Sequence, residues 1–389
     1  MMRFPSLFTP CGWAAALAAL LLCAALAASP ANAQFAMPSP DQPDMPVDAK
    51  FRAATVESLA TALERRYVFP DVAKKTAAAL RARVKKGAYD GLDGAKAFAD
   101  SLSADYRAIG KDRHFRVGYW SRELPESSLD AREPSPEEKA LATEQLRRIN
   151  YGFDKIQRLM GNVGYIELRM FDGSPEAGAL AQSAMALLAN SDALIVDLRR
   201  NGGGDPNLIA VILSWLFDGT ERVHINDFYE REGDRTVQYW TNTSQGGPRY
   251  VNKEVYVLTS RRTGSGAEEF AYDIKNLRRG TVVGETTAGA ANPGGAVRLN
   301  AHFAAFIPTG RAINPVTKTN WEGVGVEPDV KVPADEALKT AHVAALSHLI
   351  EQAKDPDWVA SLQRALQMAK DSPVEALDLG PMKMSRAAK

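Results

Sequence analysis

Apolar positions set out the architecture before any chemistry is considered. Val56, Leu59, Leu63 and Tyr67 recur at the spacing of one helical face, and Pro70 closes the run. Val72–Val84 reads as a second, Ala-rich helix with basic residues toward its end and Gly87 beyond it, and Ala95–Tyr106 as a third. These form an expected N-terminal helical domain over 49–110. Phe115–Tyr119 then alternates as a strand does, the proline-bearing stretch Glu123–Glu138 reads as a linker, and Leu141–Met160 as a helix, together a strand and linker region over 111–160. From Gly161 the period changes. Strands are expected at Val163–Leu168, Ala193–Leu198 and Val255–Leu258, and a hairpin at Val297–Leu299 and His302–Ile307. Helices are expected at Pro175–Leu188, Leu208–Phe217 and from Ala267 onward. This strand–turn–helix alternation over 161–335 predicts an α/β core with ligand loops at strand ends. Glu336–Gln352 and Trp358–Met368 read as C-terminal helices within 336–389, before a loose tail.

The N-terminus changes the picture of where the chain works. Arg3, the apolar run Trp13–Ala28 and the small-x-small triplet Ala31-Asn32-Ala33 have the form of a secretory signal over 1–33, cut after Ala33. Residues 34–48, rich in Pro, Asp and Met, read as a flexible leader. Leu22 before Cys23 is too large for a lipidation site, and no later window has the roughly 18 apolar residues of a span. The expectation is an exported protein of a bacterial periplasm without a stable membrane anchor. Both cysteines, Cys11 and Cys23, lie in the signal, so the processed chain would carry no disulfide, thiolate metal site or cysteine nucleophile. Forty-seven basic and 47 acidic residues balance to zero, which argues against a nucleic-acid partner. Nothing in the sequence sets the oligomeric state.

Against that frame, Val255–Tyr272 is the stretch with the most chemical content. A short strand leads through a polar turn to Gly264-Ser265-Gly266 at the mouth of a helix. A hydroxyl there suits a nucleophile, with first-turn N–H groups facing a developing negative charge. An ordinary helix cap would use the same residues. Gly202-Gly203-Gly204, after an apolar strand, exposes N–H groups that suit an oxyanion, or forms a plain tight turn. No Gly-Lys-Ser/Thr follows to make a phosphate loop. A serine nucleophile needs a base oriented by an acid. Of the five histidines, His342 and His348 sit on a helix and His224 and His302 in strand-like stretches, leaving His114, after Asp112 at a loop junction, as the best base. Glu322, in a turn with Gly323 and Gly325, is the leading acid, with Glu268 and Glu285 as rivals. The histidines are scattered and HExxH is absent, so neither metal nor cofactor is expected.

Four motifs, Asp197-Leu-Arg-Arg-Asn-Gly-Gly-Gly204, Thr263-Gly-Ser-Gly-Ala-Glu268, Val283-Gly-Glu-Thr-Thr-Ala-Gly289 and Gly323-Val-Gly-Val-Glu-Pro-Asp329, resemble in content and order the tail-specific, or C-terminal processing, serine peptidases. That family includes the tricorn protease core and the interphotoreceptor retinoid-binding modules. The resemblance spans roughly residues 50–350, and Tyr67-Val-Phe-Pro70 is similar to the N-terminal bundle of the retinoid-binding branch. It implies a ClpP/crotonase-like spiral of ββα units as the core. It implies Ser265 as nucleophile, with Gly203 and Gly266 donating to the oxyanion. The lysine base of one branch falls on Ala290, so a Ser/Lys dyad is not available. The tricorn-like alternative implies His114 as base and Glu322 as the acid that orients it, although Arg113 stands where tricorn has a serine. No segment resembles a PDZ domain. The implied activity is hydrolysis of peptide or unfolded-protein substrates through an acyl-enzyme, with rate lost below the imidazole pKa and a slope between about pH 5 and 8. The other readings are a non-catalytic module for a hydrophobic, retinoid-like ligand, and a hydrolase of another acyl ester or amide.

Overall fold

A computed structural model describes residues 38–125 and 135–374; the expected signal segment 1–33, residues 126–134 of the expected linker and the expected loose tail lie outside the described residues. The chain opens with three helices, α1 Ala49–Arg66, α2 Pro70–Lys85 and α3 Ala95–Gly110, and then strand β1 Arg116–Tyr119. Asp48 caps α1 by accepting from Phe51 N at 2.7 Å, and Pro70 occupies the first position of α2, where it has no N–H to lose. Helix α4, Pro136–Arg148, carries a Ser135/Glu138 capping box, and β2 follows at Phe153–Leu159. Then come β3 Val163–Leu168, α5 Pro175–Leu187, β4 Ala193–Asp197, α6 Pro206–Ser214, β5 His224–Glu230 and β6 Arg235–Trp240. The chain continues through β7 Glu254–Thr259, α7 Gly266–Asn276, β8 Thr281–Gly284, β9 Gly294–Arg298, β10 Phe303–Pro308 and β11 Gly310–Ile313. It closes with β12 Val330–Lys331, α8 Ala337–Gln352 and α9 Pro356–Asp371.

The central sheet has the order β12-β8-β7-β4-β3-β2, parallel except for β2 at the edge. Its inner strands β3, β4, β7 and β8 bury both faces. Leu194 and Val196 point to a core shared with α5, α6 and α7, while Ala193 and Ile195 point to a second core under α8 and α9. This is why Ala193–Leu198 reads as an unbroken apolar run. Such a sheet places the loops after β4 and β7 side by side, since Val196 pairs with Val257 and Asp197 with Leu258.

Two expectations change. Leu141–Met160 is not one helix: α4 stops at Arg148, Asn150 and Tyr151 take φ of 50°, Gly152 takes 91°, and Phe153–Leu159 is the edge strand. Phe153, Ile156 and Leu159 stand three apart in the sequence, which imitates helical spacing, but a register shift after Phe153 brings it and Ile156 to the core shared with α5, α6 and α7, while Leu159 faces the core under α8 and α9. The leader is tied down from Gln42, whose side chain bonds Tyr119 O and Ser121 N, and Val47 is buried. The N-terminal helices share a core of their own with Val297, Leu299, Phe303, Ala305 and Ile307 of the β1-β10-β9 sheet.

Candidate active site

The loops after β4 and β7 are stitched together by their own polar groups. Ser260 Oγ donates to Arg199 O at 2.5 Å, Thr263 Oγ1 to Leu198 O at 2.8 Å, and Gly264 N to Asn201 O at 3.1 Å. Gly203 is thereby pressed against the serine. A Cβ there would lie 2.7 Å from both Ser265 Cβ and Gly266 N, and its φ of +112° is open essentially to glycine alone. The three sequence-expected residues Gly203, Ser265 and Gly266 are therefore in direct contact.

Ser265 itself is strained, with φ 51° and ψ −124°, outside the left-handed helical well that a non-glycine residue can visit cheaply. It sits immediately before Gly266, the first residue of α7. Its N–H is held by Glu268 Oε2 at 2.9 Å. Glu268, fully buried, also accepts from Thr287 Oγ1, Gly289 N and Ala290 N at 2.5, 2.6 and 2.8 Å. Burial pushes its carboxyl up to about 7 against the pull of these donors. Glu268 is thus an anchor for the serine turn and for the strap 287–290. The Gly266 N–H has no acceptor among the described residues, whereas the Gly203 N–H donates to Asn201 Oδ1 at 2.8 Å.

The second half of the site comes from the far end of α3. Lys111 ends that helix in the left-handed conformation, and Asp112 turns inward, buried. Asp112 Oδ1 accepts from His114 N at 2.9 Å, and Oδ2 accepts from Tyr67 Oη at 3.1 Å and Asn292 Nδ2 at 2.9 Å. The His114 ring stacks on Phe306 with centroids 5.3 Å apart, and its Nδ1 lies 3.9 Å from Asp112 Oδ1 with no hydrogen-bond partner. Glu322 does not grip the ring. Its Oε1 takes Arg113 N at 2.9 Å, and Oε2 takes Ala291 N at 2.7 Å and Asn292 N at 3.2 Å. Ligand atoms of Asp112, His114 and Glu322 nevertheless all lie within 4.8 Å of one another.

The segment Gly289–Asn292 joins the two halves. Its first two N–H groups bond the glutamate beside Ser265 and its last two bond Glu322 beside His114. Four residues span at most about 14 Å, so the serine turn and the histidine turn flank one short strap. No hydrogen bond links Ser265 and His114 among the described residues.

Charge in this corner follows from burial. Desolvation, then the Arg116 cation, lowers His114 to about 4, so the imidazole is neutral around pH 7. Burial raises both Asp112 and Glu322, and for Asp112 the neighbouring Glu322 charge adds to it. The other histidines are engaged elsewhere: His224 with Asp227 and Trp240, His302 with Trp120 O, His342 with Met160 O, and His348 with Glu254 and Gln352. Glu285, a rival acid, pairs with Arg261 at 3.4 Å. Sequence reading did not single out Asp112, Asn292 or the anchoring use of Glu268. The Asp-x-His spacing was the available signal for the first, and the other two are set only by tertiary contacts.

Comparison with known proteins adds the following. The family description "Peptidase family S41" matches residues 162–332, and "N-terminal domain of Peptidase_S41 in eukaryotic IRBP" matches 49–153. The chain is 26% identical over 178 residues to the chloroplastic carboxyl-terminal-processing peptidase 2 of Arabidopsis thaliana, covering 44% of this chain and 32% of that protein. It is 37% identical over 106 residues to the tail-specific protease of Haemophilus influenzae, covering 25% of this chain and 13% of that protein. The match thus spans about a third or less of these relatives' length. The crystal structure of mature CPAF superposes with a TM-score of 0.54 at 13% identity, over 79% of this chain and 99% of that one, a likeness of fold.

Proposed function

Because the chain belongs to peptidase family S41, we propose that it is a serine-type peptidase that cleaves peptide or unfolded-protein chains through an acyl-enzyme on Ser265. The observation that carries this reading is the Ser265 turn. A non-glycine residue held at φ 51°, ψ −124° at a helix mouth, with Gly203 in contact and a free N–H on the next residue, has strain that capping alone does not call for.

In the proposed reaction, His114 takes the Ser265 hydroxyl proton as Oγ attacks the substrate carbonyl. The oxyanion meets the Gly266 N–H and the positive end of α7. Gly203 supplies the second donor once its N–H turns from Asn201 Oδ1. His114 then gives the proton to the leaving amine, and water repeats the sequence on the ester. A neutral, desolvated imidazole is in the right state to accept the first proton. Asp112, close to Nδ1, steadies the imidazolium, while Glu322 fixes the Arg113 peptide that carries the histidine. Bringing Nε2 onto Ser265 Oγ is a closure that substrate completes, as catalytic hydrogen bonds often tighten only in the complex. Cleavage in the periplasm, after removal of 1–33 by signal processing, is part of this proposal. Incubation of the purified protein with a peptide library tests it: wild type yields new termini and Ser265→Ala yields none. Equal cleavage by both would remove Ser265 from the chemistry.

A further inference from the structure

The His114 imidazole and the carboxylates of Asp112 and Glu322 form a group with a second chemical capacity. The three donor atoms come within 4.8 Å of one another, and His114 Nδ1 is buried without a hydrogen-bond partner on the side that faces Asp112. We propose that these three residues bind a zinc ion and that its binding shuts the peptidase off reversibly.

The donor set is one imidazole nitrogen and two carboxylate oxygens, which suits zinc and not calcium, an ion that takes six to eight oxygens. In a tetrahedral site with bonds near 2.0–2.2 Å, donors stand about 3.4 Å apart, so a cluster whose donors lie within 4.8 Å must contract by up to about 1.4 Å. The supports for that contraction are in place. Tyr67 Oη and Asn292 Nδ2 hold Asp112, and the N–H groups of Arg113, Ala291 and Asn292 hold Glu322. Outer contacts of this kind orient metal ligands. Two like-charged carboxylates side by side in a buried corner also gain from a cation between them. Three protein ligands leave a fourth position for water. Zinc on the Nδ1 lone pair would fix the ring proton on Nε2, which then has no lone pair with which to take the Ser265 proton. The inhibitory half rests on the peptidase reading, since it needs His114 to be the base; the binding half does not.

Calorimetric titration of the metal-stripped full chain with zinc chloride separates the two. Ser265→Ala, which keeps all three ligands, is expected to bind one zinc per chain, and His114→Gln and Glu322→Gln each to weaken that binding at least tenfold while keeping the wild-type circular dichroism. Wild-type cleavage is expected to fall in step with zinc occupancy and to return with EDTA. Absence of one-to-one binding up to about 100 µM zinc, the weak end of specific affinity, overturns the site. So does undiminished binding in both ligand variants, which would move the ion to the His224–Asp227 or His348–Glu254 pairs. Binding by Ser265→Ala without loss of wild-type cleavage would keep the site and overturn the inhibition.

Discussion

The backbone of Ser265 offers a test of the site that does not depend on knowing a substrate. At φ 51° and ψ −124° the residue occupies a region that costs a side-chain-bearing residue about 1–3 kcal/mol. Replacing serine by alanine removes the hydroxyl and keeps that cost. Replacing it by glycine removes both, and adds about 0.5–1 kcal/mol of unfolded-state freedom. Ser265→Gly should therefore be more stable than Ser265→Ala by roughly 0.5–2 kcal/mol, the reverse of the usual order at an ordered position. Urea unfolding followed by circular dichroism reads this difference directly, provided both variants unfold in one transition. Both variants should be inactive. If the glycine variant is instead less stable than the alanine variant by about 1 kcal/mol, the ordinary penalty, Ser265 is not strained and the turn is a simple cap.

Gly203→Ala should lower turnover by about 10²–10³ by displacing the Ser265–Gly266 peptide, and should destabilise the fold by about 1–3 kcal/mol through overpacking. Gly295→Ala, where an added Cβ meets nothing within 4 Å, is the control expected to leave both unchanged, and equal behaviour of the two variants in peptide cleavage would refute the contact. The slope between about pH 5 and 8 expected of an ordinary imidazole is overturned by the burial of His114: the acid limb of kcat/KM should lie at about pH 4, and protonation of this group leaves rates level between about pH 5 and 8. The ordinary imidazole pKa would put that limb near 6.5; burial and then the Arg116 charge account for the difference. Arg116→Met should move the limb upward, and a wild-type limb near 6.5 that ignores this substitution would count against His114. Glu269 and Asp273, one turn apart on α7 and fully buried, are both raised by desolvation. A raised folded pKa gives stability that is complete below the unfolded carboxylate value of about 4 and is lost as pH climbs through the folded value, by ~1.4 kcal/mol per unit of displacement. Glu269→Gln should flatten that decline above pH 5 in urea melts, and an unchanged slope would exclude the pair as its source.

The sequence was most legible where one local rule decides the outcome. The parallel strands announce themselves as apolar runs because both sheet faces are covered, and Pro70 and Asp48 mark helix starts by their own stereochemistry. Ser265, Gly203 and Gly266 were identifiable because glycine beside a hydroxyl has few structural uses, and they do meet. Phe153–Leu159 misled because this edge strand sends Phe153 and Ile156 to one core and Leu159 to the other, so its apolar residues fall three apart. The strands β5, β6 and β11 pair through partly exposed, polar residues, which leaves little alternation to read. The histidine corner was harder still. His114 could be chosen by elimination, but Asp112 facing Nδ1 and Glu322 turned onto the Arg113 peptide depend on the strap at 289–292, whose bonds cross the chain over long distances.

Reaction with a fluorophosphonate probe, followed by peptide mass mapping, bears most directly on the claim that Ser265 is an activated nucleophile. The account requires a single stoichiometric adduct on the peptide containing Ser265, slower labelling in His114→Ala, and none in Ser265→Ala. An unlabelled wild-type protein, or an adduct on any other hydroxyl, would contradict it.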